Sequence, residues 1–279
     1  ETMQQMLGRD PEWVAKYFKG QWGISQAQIH YIEPSSILNY SDCGDLLEKI
    51  YRYGNIYRVL DHGEAAPTCC GWFGALNNIH VWMREYYMPN TLISSHRQNI
   101  FDLSGHYENG EFLREQYAGN FADPDIFKMN SQQNGGFWSV AQEYTTKAIK
   151  GPPLSWAPAD NNEFATRNRI NEFLKPDELT KHPITGQPNS PRLYYIKKSP
   201  DYQNGVFHGI TQTQQQRRLL LTSVNGKSIY SDDRDESVVD HAYDVERYYV
   251  AIHSTNKPPS ITQINGGLSK KESTCENTT

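Results

Sequence analysis

The stretch IYRVLDHGEAAPTCCGWFGALNNIHVWMREYY, residues 56–87, decides the fold of this chain. It contains three short apolar runs, separated by segments that carry either glycine or the pair Asn77-Asn78. Apolar runs of this length between turn residues are typical of β-strands joined by hairpins. We therefore predict a three-stranded antiparallel meander over Ile56–Asp61, Thr68–Leu76 and Ile79–Tyr87.

The chain after the meander alternates strand-like runs with segments of helical periodicity. This alternation predicts an α/β fold with a mixed central β-sheet flanked by helices. The expected strands are Gly119–Asp123, Leu154–Ala157 and Leu193–Ile196, and the expected helices are Thr91–Ser104, Phe137–Ile149, Asn162–Leu174 and Asp232–Ser254. The segment from Pro176 to Pro191 is rich in proline, and we expect an exposed loop there.

The two ends of the chain have a different character from this core. Residues 1–22 have the pattern of a capped helix, and residues 20–55 are expected to form a connecting arm with a short helix around Leu46–Ile50. After Lys257 the composition becomes polar, which predicts a mobile tail. Because the chain begins with Glu and no apolar signal core follows, we interpret it as a fragment or a processed product.

Composition and motifs argue against several classes of protein. No apolar run approaches the roughly 18 residues of a membrane span, and the net charge of -5 is unlike that of a basic DNA-coating protein. Neither a G-x-G-x-x-G turn after a strand nor a G-x-x-x-x-G-K-[ST] loop is present. The four cysteines lack zinc-ligand spacing and are expected to be buried and reduced, with Cys69 and Cys70 on opposite faces of one strand.

Three aspartates stand where they could meet in space. Asp61 and Asp123 each follow an apolar run that predicts a buried strand, and Asp244 lies on the last predicted helix. Taken singly, each is more typical of a turn or of a solvated helix face. Clustered carboxylates, however, are the ligands that Mg²⁺ and Mn²⁺ prefer, and two such ions can hydrolyse a phosphodiester. The three positions together predict a divalent-metal site for phosphodiester chemistry.

This order of elements resembles the nuclease domain of the large terminase subunit of tailed bacteriophages. The resemblance covers about residues 56–254, from the strand ending in Asp-x-Gly to the late helix with Asp-His-x-x-Asp, and residues 10–22 are similar to the end of the terminase ATPase domain. It implies an RNase H-like fold and an endonuclease that cuts concatemeric double-stranded DNA during genome packaging. It also implies three parts: residues 1–55 as the end of the ATPase domain and a linker arm, 56–255 as the nuclease domain and 256–279 as a flexible tail.

The resemblance also implies the residues of the site. Asp61, Asp123 and Asp244 match the metal-binding carboxylates, and His241 matches a histidine beside the metals; all four would be catalytic, with one or two Mg²⁺ or Mn²⁺ ions as cofactor. Asp240 lies one turn before Asp244 on the helix, so it remains an alternative ligand. Glu85, on the third strand, is either an outer metal ligand or an outward-facing strand residue.

The implied partners are double-stranded DNA, the motor domain of the same polypeptide, the portal and the small terminase subunit, in the cytoplasm of the host and with no membrane. Lysine and arginine contacts to phosphate would give salt-sensitive binding that is independent of sequence. Each basic residue is also compatible with an ordinary solvated charge. The DNA-binding candidates are Arg167, Arg169, Lys197, Lys198, Arg217 and Arg218.

Two other interpretations of the sequence stay open. Another RNase H-like enzyme, such as a resolvase or transposase, would use a similar carboxylate cluster but would leave the segment from Trp13 to Trp22 unexplained. A phage structural or docking module would carry the same acids as surface features. Cleavage of DNA that depends on a divalent metal separates the enzymes from the docking module.

Overall fold

The structure is a computed structural model, and it describes residues 27–133, 136–224 and 227–253. The predicted helix of residues 1–22, the first part of the connecting arm and the polar tail therefore lie outside the described residues. No helix in these three ranges has both the length and the apolar character needed to cross a membrane.

Strands occur mostly in consecutive runs, and α-helices separate these runs along the described part of the chain. The strands are β1 (Ile37–Leu38), β2 (Asn55–Asp61), β3 (Thr68–Leu76), β4 (Ile79–Met88), β5 (Gly105–Glu108), β6 (Glu111–Arg114), β7 (Gly119–Ala122), β8 (Met129–Gln133), β9 (Gly136–Ser139), β10 (Ala157–Pro158), β11 (Asp177–Lys181), β12 (Pro188–Ser190), β13 (Leu193–Ile196), β14 (Arg218–Val224) and β15 (Lys227–Arg234). The α-helices are α1 (Gly44–Tyr53), α2 (Ile93–Asp102), α3 (Val140–Thr145), α4 (Glu163–Leu174), α5 (His208–Gln215) and α6 (His241–Ile252).

A seven-stranded sheet forms the centre of the fold, in the order β1-β13-β4-β3-β2-β7-β10. Strand β3 runs antiparallel to both of its neighbours, and the other neighbouring strands of this sheet are parallel. The meander β2–β3–β4 therefore lies between two pairs of strands, β7–β10 and β13–β1, that run parallel to β2. The predicted α/β class, with a mixed central sheet flanked by helices, is confirmed.

Helices cover both faces of the sheet, because alternate side chains of the central strands point in opposite directions. On one face Val59 and Cys69 pack in a cluster that includes residues of α4 and α6. On the other face Leu60 and Cys70 pack with residues of α2 and α3, and a neighbouring cluster includes α1. The predicted burial of adjacent cysteines on opposite faces is confirmed, and both thiols are free.

Several element boundaries differ from the sequence prediction. The helix expected from Phe137 begins at Val140, because Gly136–Ser139 pairs with β8 and the side chain of Ser139 caps the helix. The last helix begins at His241 and not at Asp232, because Lys227–Arg234 pairs with β14. The expected loop before Pro191 is the hairpin β11–β12.

The described part of the expected connecting arm packs against the sheet. Strand β1 pairs in parallel with β13 at the edge of the sheet. The predicted short helix is present within α1, whose Leu46, Leu47 and Ile50 are buried. The division of the chain at residue 55 stays a prediction, and these contacts join both sides of it.

Candidate functional site

Two of the three aspartates lie at the same edge of the sheet, where their strands end. Strands β2 and β7 are parallel neighbours, and their last residues, Asp61 and Ala122, are followed by loops on that side. The backbone N–H of Asp123, directly after β7, donates to the carbonyl of Leu60 at 3.0 Å. Asp61 and Asp123 are therefore next to each other in the register of two adjacent strands.

Helix α6 brings the third aspartate to this edge. Asp61 alternates with Val59 along β2 and so faces the side of the sheet that α6 covers. Nδ1 of His241, the first residue of α6, lies 3.1 Å from Oδ2 of Asp61. Because residues three and four apart share one face of a helix, Asp244 and Tyr248 follow His241 along the same side. Burial raises the pKa of Asp123, and an interaction with the side chain of Tyr248 partly offsets this rise.

The start of α6 is held by a residue from another helix. Asp240 occupies the N-cap position but makes no side-chain cap. Instead, Oε1 of Gln212 on α5 accepts from the backbone N–H of Ala242 at 2.7 Å and from that of Tyr243 at 3.4 Å. Gln212 thereby fixes the helix turn that carries His241.

The electrostatics of the site couple the three carboxylates to their neighbours. Burial raises the pKa of Asp61, of Asp123 and of Asp244, in the last case to about 7, and the charge of Asp61 acts on Asp244 in the same direction. Burial, and then the charges of all three aspartates, raise the pKa of Tyr248. A single hydroxyl group thus lies within electrostatic reach of Asp61, Asp123 and Asp244.

Basic side chains already partner three of the acids. The hydrogen bond to Asp61 raises the pKa of His241, so this imidazole acts as a partial counter-charge. Arg247 donates from Nε to Oδ1 of Asp244 at 2.9 Å. Arg234, the last residue of β15, donates to Oδ2 of Asp240 at 2.6 Å. Asp240 is therefore tied to β15, although its charge still raises the pKa of both Asp61 and Asp244.

The donor chemistry of Asp61, Asp123 and Asp244 fits a magnesium-like ion. Their carboxylates supply hard oxygen ligands, and their burial together is costly unless cations offset the repulsion. Within the three described ranges, no group of three or more His, Cys, Asp or Glu side chains is already arranged to hold a metal. The assignment of metal ligands stays a prediction that rests on the donor set and on its electrostatics.

Glu85 has a different set of contacts from the other acids. Its carboxylate accepts from the backbone N–H groups of His208 at 3.0 Å and of Gly209 at 2.7 Å, and His208 Nδ1 lies 2.8 Å away. These contacts place both oxygens at the N-terminal end of α5, where a negative charge is favourable. The structure therefore uses Glu85 to hold α5, the helix that carries Gln212.

The six basic candidates occupy three different environments. Lys197 and Lys198 are exposed at the carboxyl end of β13, on the same edge of the sheet as Asp61. Three strand intervals separate β13 from β2, a distance of about 14 Å.

The other four basic candidates are more strongly engaged. Arg217 pairs with Asp235 at 2.9 Å and Arg218 with Asp232 at 3.1 Å. Arg169 pairs with Glu172. The guanidinium of Arg167 is buried, with its Cζ 5.3 Å from the ring centroid of Phe164.

Four residues of the site were missed in the sequence. Tyr248 and Arg247 follow Asp244 at helical spacings of four and three, and that spacing was a signal that could have revealed them. Gln212 and Arg234 come from α5 and from β15, and nothing in the local sequence predicts their contact with α6.

The chain is similar in structure to large terminases. It matches the large terminase of a thermophilic bacteriophage with a TM-score of 0.49 and 14% identity, over 88% of this chain and 49% of that one. It matches the nuclease domain of the P22 large terminase (TM-score 0.44, 11% identity, 82% of this chain and 93% of that one). It also matches the nuclease domain of the large terminase of bacteriophage SPP1, solved with bound Mn (TM-score 0.41, 12% identity, 81% and 98%).

The chain thus spans about half the length of the thermophilic phage protein. No sequence model of a known family matches it, and no curated protein does. These structures belong to the family that the sequence resembles. At such identities and TM-scores, any assignment of activity rests on the site and not on these matches.

Proposed function

We propose that this chain is a divalent-metal-dependent endonuclease, the nuclease part of a large terminase, which cuts concatemeric double-stranded viral DNA during packaging. One observation carries the proposal: Asp61 and Asp123 end adjacent parallel strands, and α6 comes within 3.1 Å of Asp61 through His241, so that Asp244 of the same helix lies beside this edge. Buried carboxylates that repel one another are typical of sites that hold a cation. A phosphodiester hydrolase is the reaction class that such a ligand set serves best.

Asp61, Asp123 and Asp244 would hold one or two Mg²⁺ or Mn²⁺ ions. A bound divalent ion lowers the pKa of its water and stabilises charge on the phosphate oxygens. The chain itself keeps the ligands in place. His241 lies 3.1 Å from Oδ2 of Asp61, and Tyr248 interacts with Asp123. The pKa of Asp244, raised to about 7, means that an ion would replace a proton there near neutral pH.

DNA would approach along the carboxyl edge of the sheet. Lys197 and Lys198 are exposed at this edge and would contact phosphates some 14 Å from Asp61, by strand spacing. Arg217 and Arg218 would contribute less, because Asp235 and Asp232 partly neutralise them. With a net charge of -5, the chain would bind DNA weakly alone. A motor domain of the same polypeptide, the portal and the small subunit would hold the DNA, in the host cytoplasm.

The test is the cleavage of supercoiled plasmid DNA by the 279-residue chain with Mg²⁺ or Mn²⁺, repeated with a chelator. We expect nicked and linear DNA only when a metal is available, and no cleavage by the Asp61→Asn variant, which should keep its fold. The matched control is Asp102→Asn, which removes an exposed carboxylate from α2 on the opposite face of the sheet.

Three outcomes would contradict the proposal in different ways. Cleavage by Asp61→Asn at the wild-type rate would remove the proposed site. DNA binding without cleavage, unaffected by the chelator, would support a packaging or docking module. Cleavage restricted to branched DNA would support a resolvase-type enzyme of the same fold.

A further inference from the structure

Asp244 is held by an arginine from its own helix. Nε of Arg247 donates to Oδ1 of Asp244 at 2.9 Å, and the two side chains are only 4% and 19% exposed. The two residues are three apart on α6, so the pair lies on one face of the helix. In the part of the chain that the structure describes, Oδ2 of Asp244 makes no hydrogen bond.

A second anchor fixes the other end of the guanidinium. Nη2 of Arg247 donates to Oδ1 of Asn161 at 2.9 Å. Asn161 follows β10, the strand next to β7, so Arg247 links α6 to the edge of the sheet that carries the acids. The guanidinium carbon also lies 5.9 Å from the ring centroid of Tyr243 and 5.7 Å from that of Tyr248, which is close enough for cation–π attraction.

These contacts make Arg247 a fixed partner of Asp244. Moving the guanidinium of Arg247 away from Asp244 would leave a buried charge without its counter-ion, which is strongly unfavourable. At Asp244, a divalent ion would therefore be held by a carboxylate whose arginine partner stays in place. The planar guanidinium serves Asp244 and Asn161 with two different nitrogens, which the single ammonium of a lysine does not reproduce.

We propose that Arg247 is a positioning residue of the metal site: it orients Asp244 through Oδ1 and leaves Oδ2 as the one oxygen that binds a divalent ion. This inference rests on the function proposed above. Groups that hold a metal-ligating carboxylate from behind typically contribute 10- to 100-fold in metal affinity. Asn161 acts on Asp244 indirectly, because it holds the guanidinium of Arg247.

The experiment measures Mn²⁺ affinity by isothermal titration calorimetry and by electron paramagnetic resonance of free Mn²⁺, on the chelator-treated chain without DNA. We expect Arg247→Met to weaken Mn²⁺ binding by about 10- to 100-fold. Arg247→Lys keeps the charge but not both hydrogen bonds, and should recover part of this loss. Arg52→Met is the matched control, because it removes another arginine that is paired with an acid four residues away on its own helix, outside the site; its affinity should equal that of the wild type.

Asn161→Ala keeps the ion pair and removes only the second anchor, so it should weaken Mn²⁺ binding less than Arg247→Met does. The Mn²⁺ affinity of Asn161→Ala also tests the role of Arg247 if the Arg247→Met variant does not fold. Mn²⁺ binding as tight as wild type, or tighter, in Asn161→Ala and Arg247→Lys would overturn the inference. If Asp61→Asn also leaves Mn²⁺ binding unchanged, the proposed metal site itself fails. If Asp61→Asn abolishes binding while the Arg247 and Asn161 variants bind normally, only the role of Arg247 is wrong.

Discussion

Replacing Asp244 with asparagine should remove a large pH dependence from the stability of the metal-free chain. Burial raises the pKa of Asp244 from 3.8 to about 7, and the charges of Asp61 and Asp240 add to this rise. A carboxyl group with a raised pKa in the folded state favours folding when it is protonated. This contribution is fully present below pH 3.8 and is lost as the pH rises through about 7.

The magnitude follows from the rise in pKa. At about 1.4 kcal/mol per pKa unit, the wild type loses at most about 4 kcal/mol through this group, of which about 3 kcal/mol falls between pH 5 and pH 8. The asparagine variant lacks the titration, and its carbonyl can still accept from Arg247. The free energy of unfolding of Asp244→Asn, relative to the wild type, should therefore rise by about 3 kcal/mol from pH 5 to pH 8.

Urea unfolding followed by tryptophan fluorescence, in chelator and at several pH values, measures this difference. Asp102→Asn controls for the removal of one negative charge at an exposed position. Addition of Mn²⁺ at pH 8 should stabilise the wild type by mass action and stabilise Asp244→Asn much less. Parallel stability curves for the wild type and Asp244→Asn between pH 5 and pH 8 would refute the reasoning.

Three further predictions concern the residues around the acids. Gln212→Ala removes the acceptor for two N–H groups at the start of α6, so it should lower the free energy of unfolding by about 1–2 kcal/mol in urea melts. The control Gln214→Ala, at an exposed position, should change the free energy of unfolding by less than about 0.5 kcal/mol. Equal values for the two variants would contradict the role of Gln212. Tyr248→Phe should keep the fold and slow metal-dependent plasmid cleavage, because Asp123 loses its interaction with the Tyr248 hydroxyl, and an unchanged rate would show that this interaction is dispensable. Replacing Lys197 and Lys198 with glutamine should reduce the slope of log affinity for DNA against log salt by about 2 in fluorescence anisotropy, and an unaltered slope would place the DNA elsewhere.

The central sheet could be predicted from the sequence because its strands carry their own signals. Continuous apolar runs between turn residues identified β2, β3 and β4, and the aspartates at strand ends followed from the same runs. Helix α5 gave no such signal, because its sequence HGITQTQQ lacks an apolar stripe at helical spacing. Its N-terminal end depends on Glu85, which is 123 residues away from His208 in the sequence. Long-range contacts of this kind cannot be recognised from local periodicity.

The sequence indicated the three aspartates as candidates but did not indicate their contacts. Asp61, Asp123 and Asp244 come together because parallel strands end at one edge and α6 crosses the face above β2. Arg247 has the sequence pattern of a solvated helix charge, and only its burial with Asn161 and Asp244 reveals its role. The basic candidates stay predictions, and the sequence did not indicate that Arg167 is buried or that Arg169 pairs with an acid on its own helix.

The location of bound manganese tests the central claim most directly. Anomalous scattering from a crystal of the chain soaked in Mn²⁺ should give a peak within about 2.0–2.6 Å of oxygens from Asp61, Asp123 and Asp244, the usual range of such contacts. At Asp244 the contact should be made by Oδ2, with Arg247 still bound to Oδ1. A peak held by other residues, or no peak with these three carboxylates beyond shared coordination reach, would contradict the nuclease assignment.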